Sequence, residues 1–355
     1  MIRKYFLAIL ISILASISVL ILRSIAPELV TQQAAFFLVG LIVFFTISKI
    51  KYAELERLSP ISYFLLIILL IIALFSEQIK GSARWIVLPG GFHLQPSQIA
   101  IPLVMLSLTW YTKTIKKNIN WTQLRNILLL ILIPGLLIYI EPDFGSTMIF
   151  LLATGSLLFF LPLSIKQYLS LILTSLLSLI IIFSFLLKPH QKQRILSFKN
   201  ASVNTQENYN AQQSLIAVGS GKFFGRGLGL GIQSHLRFLP ERQTDFIFAS
   251  IAEETGFLGS ITLVITYFLL NLYIWHIAKS SSNLSQQLYC YAIMTALLIQ
   301  TIINIGMNSS ILPITGVTLP LVSYGGSSII ANMFSLGIIQ SIALEEKSKS
   351  FMQIR

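Results

Sequence analysis

About ten apolar runs of helix length cover most of this chain, and they limit what it can fold into. Nine of the ten runs have 15 to 26 residues, close to the roughly 20 that a helix needs to cross a bilayer, and none alternates like a membrane β-strand. Charged residues make up 11% of the 355 residues, against about 25% in a soluble domain. The sequence therefore predicts an all-α, polytopic membrane protein. The predicted spans are 5–25, 31–48, 60–75, 96–111, 126–140, 145–161, 165–187, 246–277, 288–312 and 319–344.

The positive charges between the spans are unevenly distributed. With the N-terminus inside, cytoplasmic segments hold 14 Lys and Arg, short outer segments hold three, and one long segment holds the other eight. Because short cytoplasmic loops are enriched in Lys and Arg, we expect both termini in the cytoplasm. The sequence is predicted to form a single transmembrane domain, 1–355, with a large extracytoplasmic loop, 188–244, between helices seven and eight.

This long loop is basic, which favours an anionic ligand or, as an alternative, anionic lipid headgroups. A glycine-rich stretch within it, 219–231, either lets the backbone approach a phosphate or forms a flexible turn beside crowded helices. It is not a Walker loop, because Phe223 stands where Ser or Thr should follow the lysine. The basic residues of the loop are Lys188, Lys192, Arg194, Lys199, Lys222, Arg226, Arg237 and Arg242.

Asp245 stands where this charged loop meets an apolar helix. One interpretation is that Thr244 or Asp245 caps that helix, and another is that Asp245 is a general base at the wet edge of a cavity. From Asp245 to residue 277 there are 33 residues, about 50 Å of helix, which exceeds a roughly 30 Å hydrocarbon core. We therefore expect a break at Gly256 and Gly259. The part before the break, which includes Glu253 and Glu254, should line a polar cavity or lie against the outer face.

Other polar residues interrupt apolar surroundings. Arg84 is predicted to hold a phosphate or to reach lipid headgroups, and Asp143 is expected to cap helix six. Ser323 and Tyr324 lie in a stretch of small and polar residues typical of close helix packing, although Pro320 nearby also suggests an interruption beside a cavity. The single cysteine and the four separated histidines predict no metal site.

Several of these stretches resemble the SEDS family, the RodA and FtsW peptidoglycan polymerases. They are FLPERQTDFIFA at 238–249, LPITGVTLPLVSYGGSS at 312–328, EPDFG at 141–145 and QPS at 95–97, with NIGM at 304–307 and GIIQSI at 337–342 closer to RodA. The resemblance implies a ten-helix glycosyltransferase that joins lipid II units at the outer face of the bacterial cytoplasmic membrane, for elongation or division. It implies that the essential acid is Asp245, and that a class B penicillin-binding protein is the partner.

The hypothesis for the site follows from that resemblance. Asp245 takes the proton from the acceptor hydroxyl, and cations stabilise the departing pyrophosphate. The cationic candidates are Arg84, Lys222, Arg226, Arg237 and Arg242. No cofactor is predicted, and a divalent cation is left open.

One departure from the family pattern and two alternative functions complete the prediction. Family members commonly carry a Glu and a Lys on helix four where this chain has Gln98 and Ile101, so no substrate-binding role is transferred to that helix. A flippase for the lipid-linked precursor and a non-catalytic scaffold of a synthase complex stay open as alternatives.

Overall fold

The protein is a bundle of α-helices in a computed structural model that describes residues 2–76, 84–88, 92–113, 115, 119–181 and 206–353. Short 3-10 helices at Pro27–Leu29 and Ser156–Phe160 precede α2 and follow α6. The helices are α1 (Ile2–Ile25), α2 (Val30–Ile47), α3 (Tyr52–Leu74), α4 (Pro96–Thr112), α5 (Trp121–Ile140), α6 (Phe144–Gly155), α7 (Ile165–Ile181), α8 (Gln206–Ser220), α9 (Ile232–His235), α10 (Ile247–Ser280), α11 (Leu284–Asn308) and α12 (Gly326–Gln353).

The predicted class, an all-α polytopic membrane protein, is confirmed, and each predicted apolar run contains a helix. Within the described residues, seven helical segments are long and apolar enough to cross a membrane: α1, Pro27–Ile47, α3, α5, α10, α11 and the Gly326–Glu346 part of α12. Helices α4, α6 and α7 are shorter. Helix α4 lies at the centre of the bundle, where it contacts α3, α5, α6, α11 and α12 and buries most of its residues.

The structure departs from the predicted elements in several places. The last helix begins at Gly326 rather than at residue 319, because the chain from 313 to 325 is irregular. A small antiparallel hairpin, β1 (Ile86–Leu88) with β2 (Phe92–Leu94), was not predicted. The segment predicted as one loop holds helices α8 and α9, while its residues 188–205, with Lys188, Lys192, Arg194 and Lys199, lie outside the described residues.

The predicted break in the long helix α10 is confirmed at Gly256, whose φ of 67° and ψ of −160° are not helical. Gly259 keeps helical geometry, so that part of the prediction is wrong. The glycine-rich stretch packs across this kink: the Arg226 N–H donates to the Glu253 carbonyl at 2.9 Å, and the Phe257 N–H donates to the Lys222 carbonyl at 2.9 Å. A Cβ on Gly256 would lie 2.2 Å from the Gly225 nitrogen, so the close approach requires glycine.

Candidate active site

The candidate residues gather at one end of the bundle, which we call the Asp245 end. It comprises the segments 25–30, 84–88, 92–95, 141–144, 221–246 and 309–325. Hydrogen bonds and an ion pair connect these segments to one another. Residues far apart in the sequence therefore form one polar region above an apolar bundle.

Asp245 lies in the turn just before α10 and is half-buried. The helix begins at Ile247 with Phe246 as its N-cap residue, and the Phe246 side chain makes no cap hydrogen bond. The prediction that Thr244 or Asp245 occupies the cap is therefore wrong. The Ala249 N–H instead donates to Oδ1 of Asn308 at 3.1 Å, so a side chain from α11 satisfies a donor in the first turn of α10.

The backbone on the N-terminal side of α10 is held at three successive carbonyls. Tyr324 donates its N–H to the Gln243 carbonyl at 2.8 Å, and Ser323 donates its hydroxyl to the Thr244 carbonyl at 2.6 Å. The Asp245 carbonyl accepts from the side-chain amides of Asn304 and Asn308 at 2.9 and 3.0 Å. Ser323 and Tyr324, predicted as structural or cavity residues, thus act through the main chain of the segment that carries Asp245.

The irregular segment 312–325 lies between Asp245 and the turn that contains Asp143. A Cβ built on Gly316 would lie 3.4 Å from Oδ2 of Asp245, and one built on Gly145 would lie 2.8 Å from the Thr315 carbonyl oxygen. Gly316 also has a φ of 71°, which favours glycine. The two acids therefore flank the same short stretch of backbone.

Asp143 caps α6, as predicted, by accepting from the Ser146 N–H at 3.1 Å. Its Oδ2 also accepts from Nη1 of Arg84 at 2.8 Å and from Nε2 of Gln95 at 2.8 Å. The Asp143 side chain is 6% exposed and that of Arg84 is 30% exposed. The structure thus brings Arg84 to a buried acid while part of the arginine side chain stays exposed.

Glu141 begins this same turn and was not predicted as a site residue. It is fully buried, and neither carboxylate oxygen has a hydrogen-bond partner among the described residues. The pKa of Glu141 is raised to about 8: burial is the largest cause, the Asp143 carboxylate adds to the rise, and Arg84 opposes it. At neutral pH the Glu141 carboxyl is therefore protonated and uncharged. Its sequence position, at the end of an apolar run, is equally typical of an ordinary turn.

Glu253 and Glu254 are buried inside polar contacts. Glu253 accepts from the N–H groups of Gln233 and Ser234 at 2.8 and 3.0 Å. Glu254 accepts from the Ser24 hydroxyl at 2.6 Å and lies 3.2 Å from Nε2 of His235. The part of α10 before the break was expected to line a polar cavity or to lie against the outer face. Both acids are instead buried, and the glycine-rich stretch packs over them.

The predicted cations take different positions. Lys222, Arg226 and Arg237 are exposed. Arg242 is half-buried and donates through Nε and Nη2 to the Ile25 carbonyl at 3.2 and 2.9 Å, so it ties the end of α1 to this region. Burial, followed by nearby Arg237, lowers the pKa of Arg242. Of the helix-four positions, Gln98 is half-buried and Ile101 belongs to the apolar core.

The described residues contain no group of three or more His, Cys, Asp and Glu side chains that could hold a metal ion. The groups that the described residues bring together at the Asp245 end include carboxyl groups, amides and a guanidinium. Together they are suited to moving a proton and to balancing negative charge.

The fold and this polar end define a polytopic membrane protein with a candidate active site at one end of its helices. The family model for FtsW, RodA and SpoVE, described as cell cycle protein, matches residues 1–348. The chain therefore belongs to the FtsW/RodA/SpoVE family, as the sequence motifs indicated.

Curated relatives of both FtsW and MrdB type resemble the chain. A Buchnera aphidicola protein named "Probable peptidoglycan glycosyltransferase FtsW" is 36% identical over 325 residues, covering 89% of this chain and 90% of the relative. The "Peptidoglycan glycosyltransferase MrdB" of Escherichia coli K12 is 35% identical over 316 residues, covering 88% of this chain and 84% of the relative.

Two solved structures share the fold. A chain from the structure described as "Structural coordination of polymerization and crosslinking by a peptidoglycan synthase complex" has a TM-score of 0.82 and 26% identity, covering 96% of this chain and 98% of that one. The rod shape determining protein RodA of Thermus thermophilus has a TM-score of 0.73 and 24% identity, covering 96% and 97%.

Proposed function

We propose that this protein is a peptidoglycan glycosyltransferase that joins lipid II units into glycan strands, with Asp245 as the general base. The observation that carries the proposal is the position of Asp245. It is a half-buried acid at the polar end of the bundle, and its main chain is held on three successive carbonyls. The names of the relatives supply the reaction class.

The proposed reaction is a substitution at the anomeric carbon of the donor, a glycan linked to undecaprenyl pyrophosphate. The Asp245 carboxylate accepts the proton of the acceptor sugar hydroxyl as its oxygen bonds to that carbon. The bond from the carbon to the pyrophosphate oxygen breaks, and the pyrophosphate leaves with the electron pair. One proton thus passes to Asp245 and later to water.

Arg84 is the candidate best placed to balance the leaving charge. Its guanidinium is fixed by Asp143 on one side, its Nε is buried without a hydrogen-bond partner among the described residues, and the side chain as a whole is 30% exposed. We propose that it meets an anion without large reorganisation. The exposed Lys222, Arg226 and Arg237 add positive charge at the same end, and we propose that they attract the anionic lipid substrate. Arg242 is assigned a structural part, because its donors bind the Ile25 carbonyl.

The proposal includes an orientation and a partner. The excess of Lys and Arg in the segments at the opposite end supports a cytoplasmic location for that end and for both termini. The Asp245 end then faces outward from the bacterial cytoplasmic membrane. Likeness to a chain from a peptidoglycan synthase complex supports a class B penicillin-binding protein, a transpeptidase, as partner.

Proteoliposomes separate this function from the alternatives. Purified protein is reconstituted with fluorescent lipid II, and both polymer formation and transfer of lipid II between leaflets are measured. Polymer without added partner supports the glycosyltransferase. Transfer without polymer supports a flippase. Polymer that forms only with an added partner, and forms equally well with Asp245→Asn, supports a scaffold. The matched control for Asp245→Asn is Glu54→Gln, at an exposed acid on the opposite end of the bundle.

A further inference from the structure

Two asparagines one helical turn apart lie at the C-terminal end of α11, beside Asp245. Asn304 and Asn308 are both fully buried. Each points its side-chain nitrogen at the same atom, the carbonyl oxygen of Asp245, at 2.9 and 3.0 Å. A carbonyl oxygen has two lone pairs, so the two amides occupy the whole acceptor capacity of this group.

Each side-chain nitrogen also donates to a second acceptor. Asn304 Nδ2 donates to the Val317 carbonyl at 2.7 Å, and Asn308 Nδ2 donates to the main-chain carbonyl of Asn304 at 2.8 Å. Oδ1 of Asn308 accepts from the Ala249 N–H. Exchanging the amide oxygen and nitrogen of either residue would bring oxygen against carbonyl oxygen, so the contacts fix the orientation of both amides.

These bonds join three parts of the site. They connect α11 to the turn before α10, to the first turn of α10 and to the irregular segment that passes Asp245. Asn271, also buried, provides a contrast, because its side-chain nitrogen bonds the Tyr267 carbonyl of its own helix at 2.9 Å. Burying an amide is costly unless its polar atoms are satisfied. At Asn304 and Asn308 most of the satisfying contacts lie in the Asp245 region, although Asn308 also bonds the main-chain carbonyl of Asn304 in its own helix.

We propose that Asn304 and Asn308 are positioning residues for Asp245, an inference that rests on the proposed role of Asp245 as the base. By holding the carbonyl of Asp245 from two sides, they fix the Cα from which its carboxylate projects. The carboxylate is then kept at hydrogen-bond distance from the acceptor hydroxyl rather than swinging with the turn. Neither asparagine contacts substrate in this scheme.

The test compares Asn304→Leu and Asn308→Leu, which remove the amides with little change in volume, with Asn271→Leu as the matched control. The steady-state kinetics of lipid II polymerisation and the melting temperature in detergent are measured for each. A displacement of about 1 Å at a catalytic group costs up to about 100-fold in rate. We therefore expect kcat to fall about 10- to 100-fold in both variants while KM changes less than about twofold. Asn271→Leu should keep kcat, because the Asn271 amide bonds only its own helix and its Oδ1 has no hydrogen-bond partner among the described residues.

If a leucine variant does not fold, the corresponding alanine variant, which leaves space for a water molecule, is assayed by the same criterion. Unchanged kcat in both variants, alongside an inactive Asp245→Asn, contradicts this inference alone. A wild type that makes no glycan, or an Asp245→Asn variant as active as wild type, contradicts the proposed function and this inference with it.

Discussion

Replacing Glu141 with Gln tests the electrostatics of the site without changing its shape. Glu141 is fully buried with both oxygens unpartnered among the described residues, and its pKa rises from 4.5 to about 8. Below about pH 4.5 the carboxyl is neutral in both the folded and the unfolded protein. Between that pH and about 8, the unfolded chain gains from ionisation while the folded protein holds the carboxyl neutral. Stability is therefore lost as the pH rises through this window and levels off above it.

The size of this loss follows from the two pKa values. They differ by about 3.5, and each pKa unit corresponds to about 1.4 kcal/mol. The free energy of unfolding of the wild type should thus fall on the order of 5 kcal/mol relative to Glu141→Gln, which does not titrate. Ionised Glu141 lies beside Asp143, so the two charges repel each other at high pH.

The assay is thermal unfolding in detergent across this pH range for wild type, Glu141→Gln and the exposed control Glu54→Gln. We expect the melting temperature of the wild type to drop by several degrees relative to Glu141→Gln from about pH 5 to about pH 8.5. The control should follow the wild type. A difference between wild type and Glu141→Gln that stays constant over this range would refute the reasoning.

Three further predictions concern the kink and the cations. Gly256→Ala should lower the melting temperature and the yield of folded protein, because its φ of 67° and the 2.2 Å approach of a Cβ leave no room for a side chain; a melting temperature equal to wild type would contradict this. Arg84→Lys should lower kcat/KM for lipid II about tenfold or more, because lysine cannot keep the guanidinium geometry against both Asp143 and an anion; kinetics equal to wild type would exclude that role. Arg242→Met should lower stability by about 1–3 kcal/mol with little change in kcat, and a kcat loss at full stability would move it into the substrate site.

The positions of the helices could be predicted because membrane crossing depends on the local run of apolar residues. The start of α12 could not be predicted, because the apolar residues at 319–322 extend the apolar run in the sequence. In the structure these residues form a non-helical turn, in which the Ser323 hydroxyl accepts from the Leu319 N–H and donates to the Thr244 carbonyl. Such bonds are set by tertiary structure and leave no periodic signal.

The candidate site was predictable as a set of residue types and not as a network. Asp245 and Arg84 stood out as charges against apolar surroundings, but the pairing of Arg84 with Asp143 joins segments far apart in the sequence. The cap of α10 was assigned to the wrong residue, because the Ala249 N–H in its first turn is satisfied by the side chain of Asn308 from another helix. Glu141 has the sequence setting of an ordinary turn, and its significance depends on burial that only the folded chain reveals.

The central claim is that this protein polymerises lipid II with Asp245 as the base, and the most direct measurement is the length distribution of glycan made from purified lipid II. Wild type and Asp245→Asn are compared at matched amounts of folded protein, confirmed by melting temperature. The account predicts glycan strands from the wild type and no detectable strands from Asp245→Asn at an unchanged melting temperature, because the amide cannot accept the hydroxyl proton. Strands of equal length and amount from the variant would contradict it.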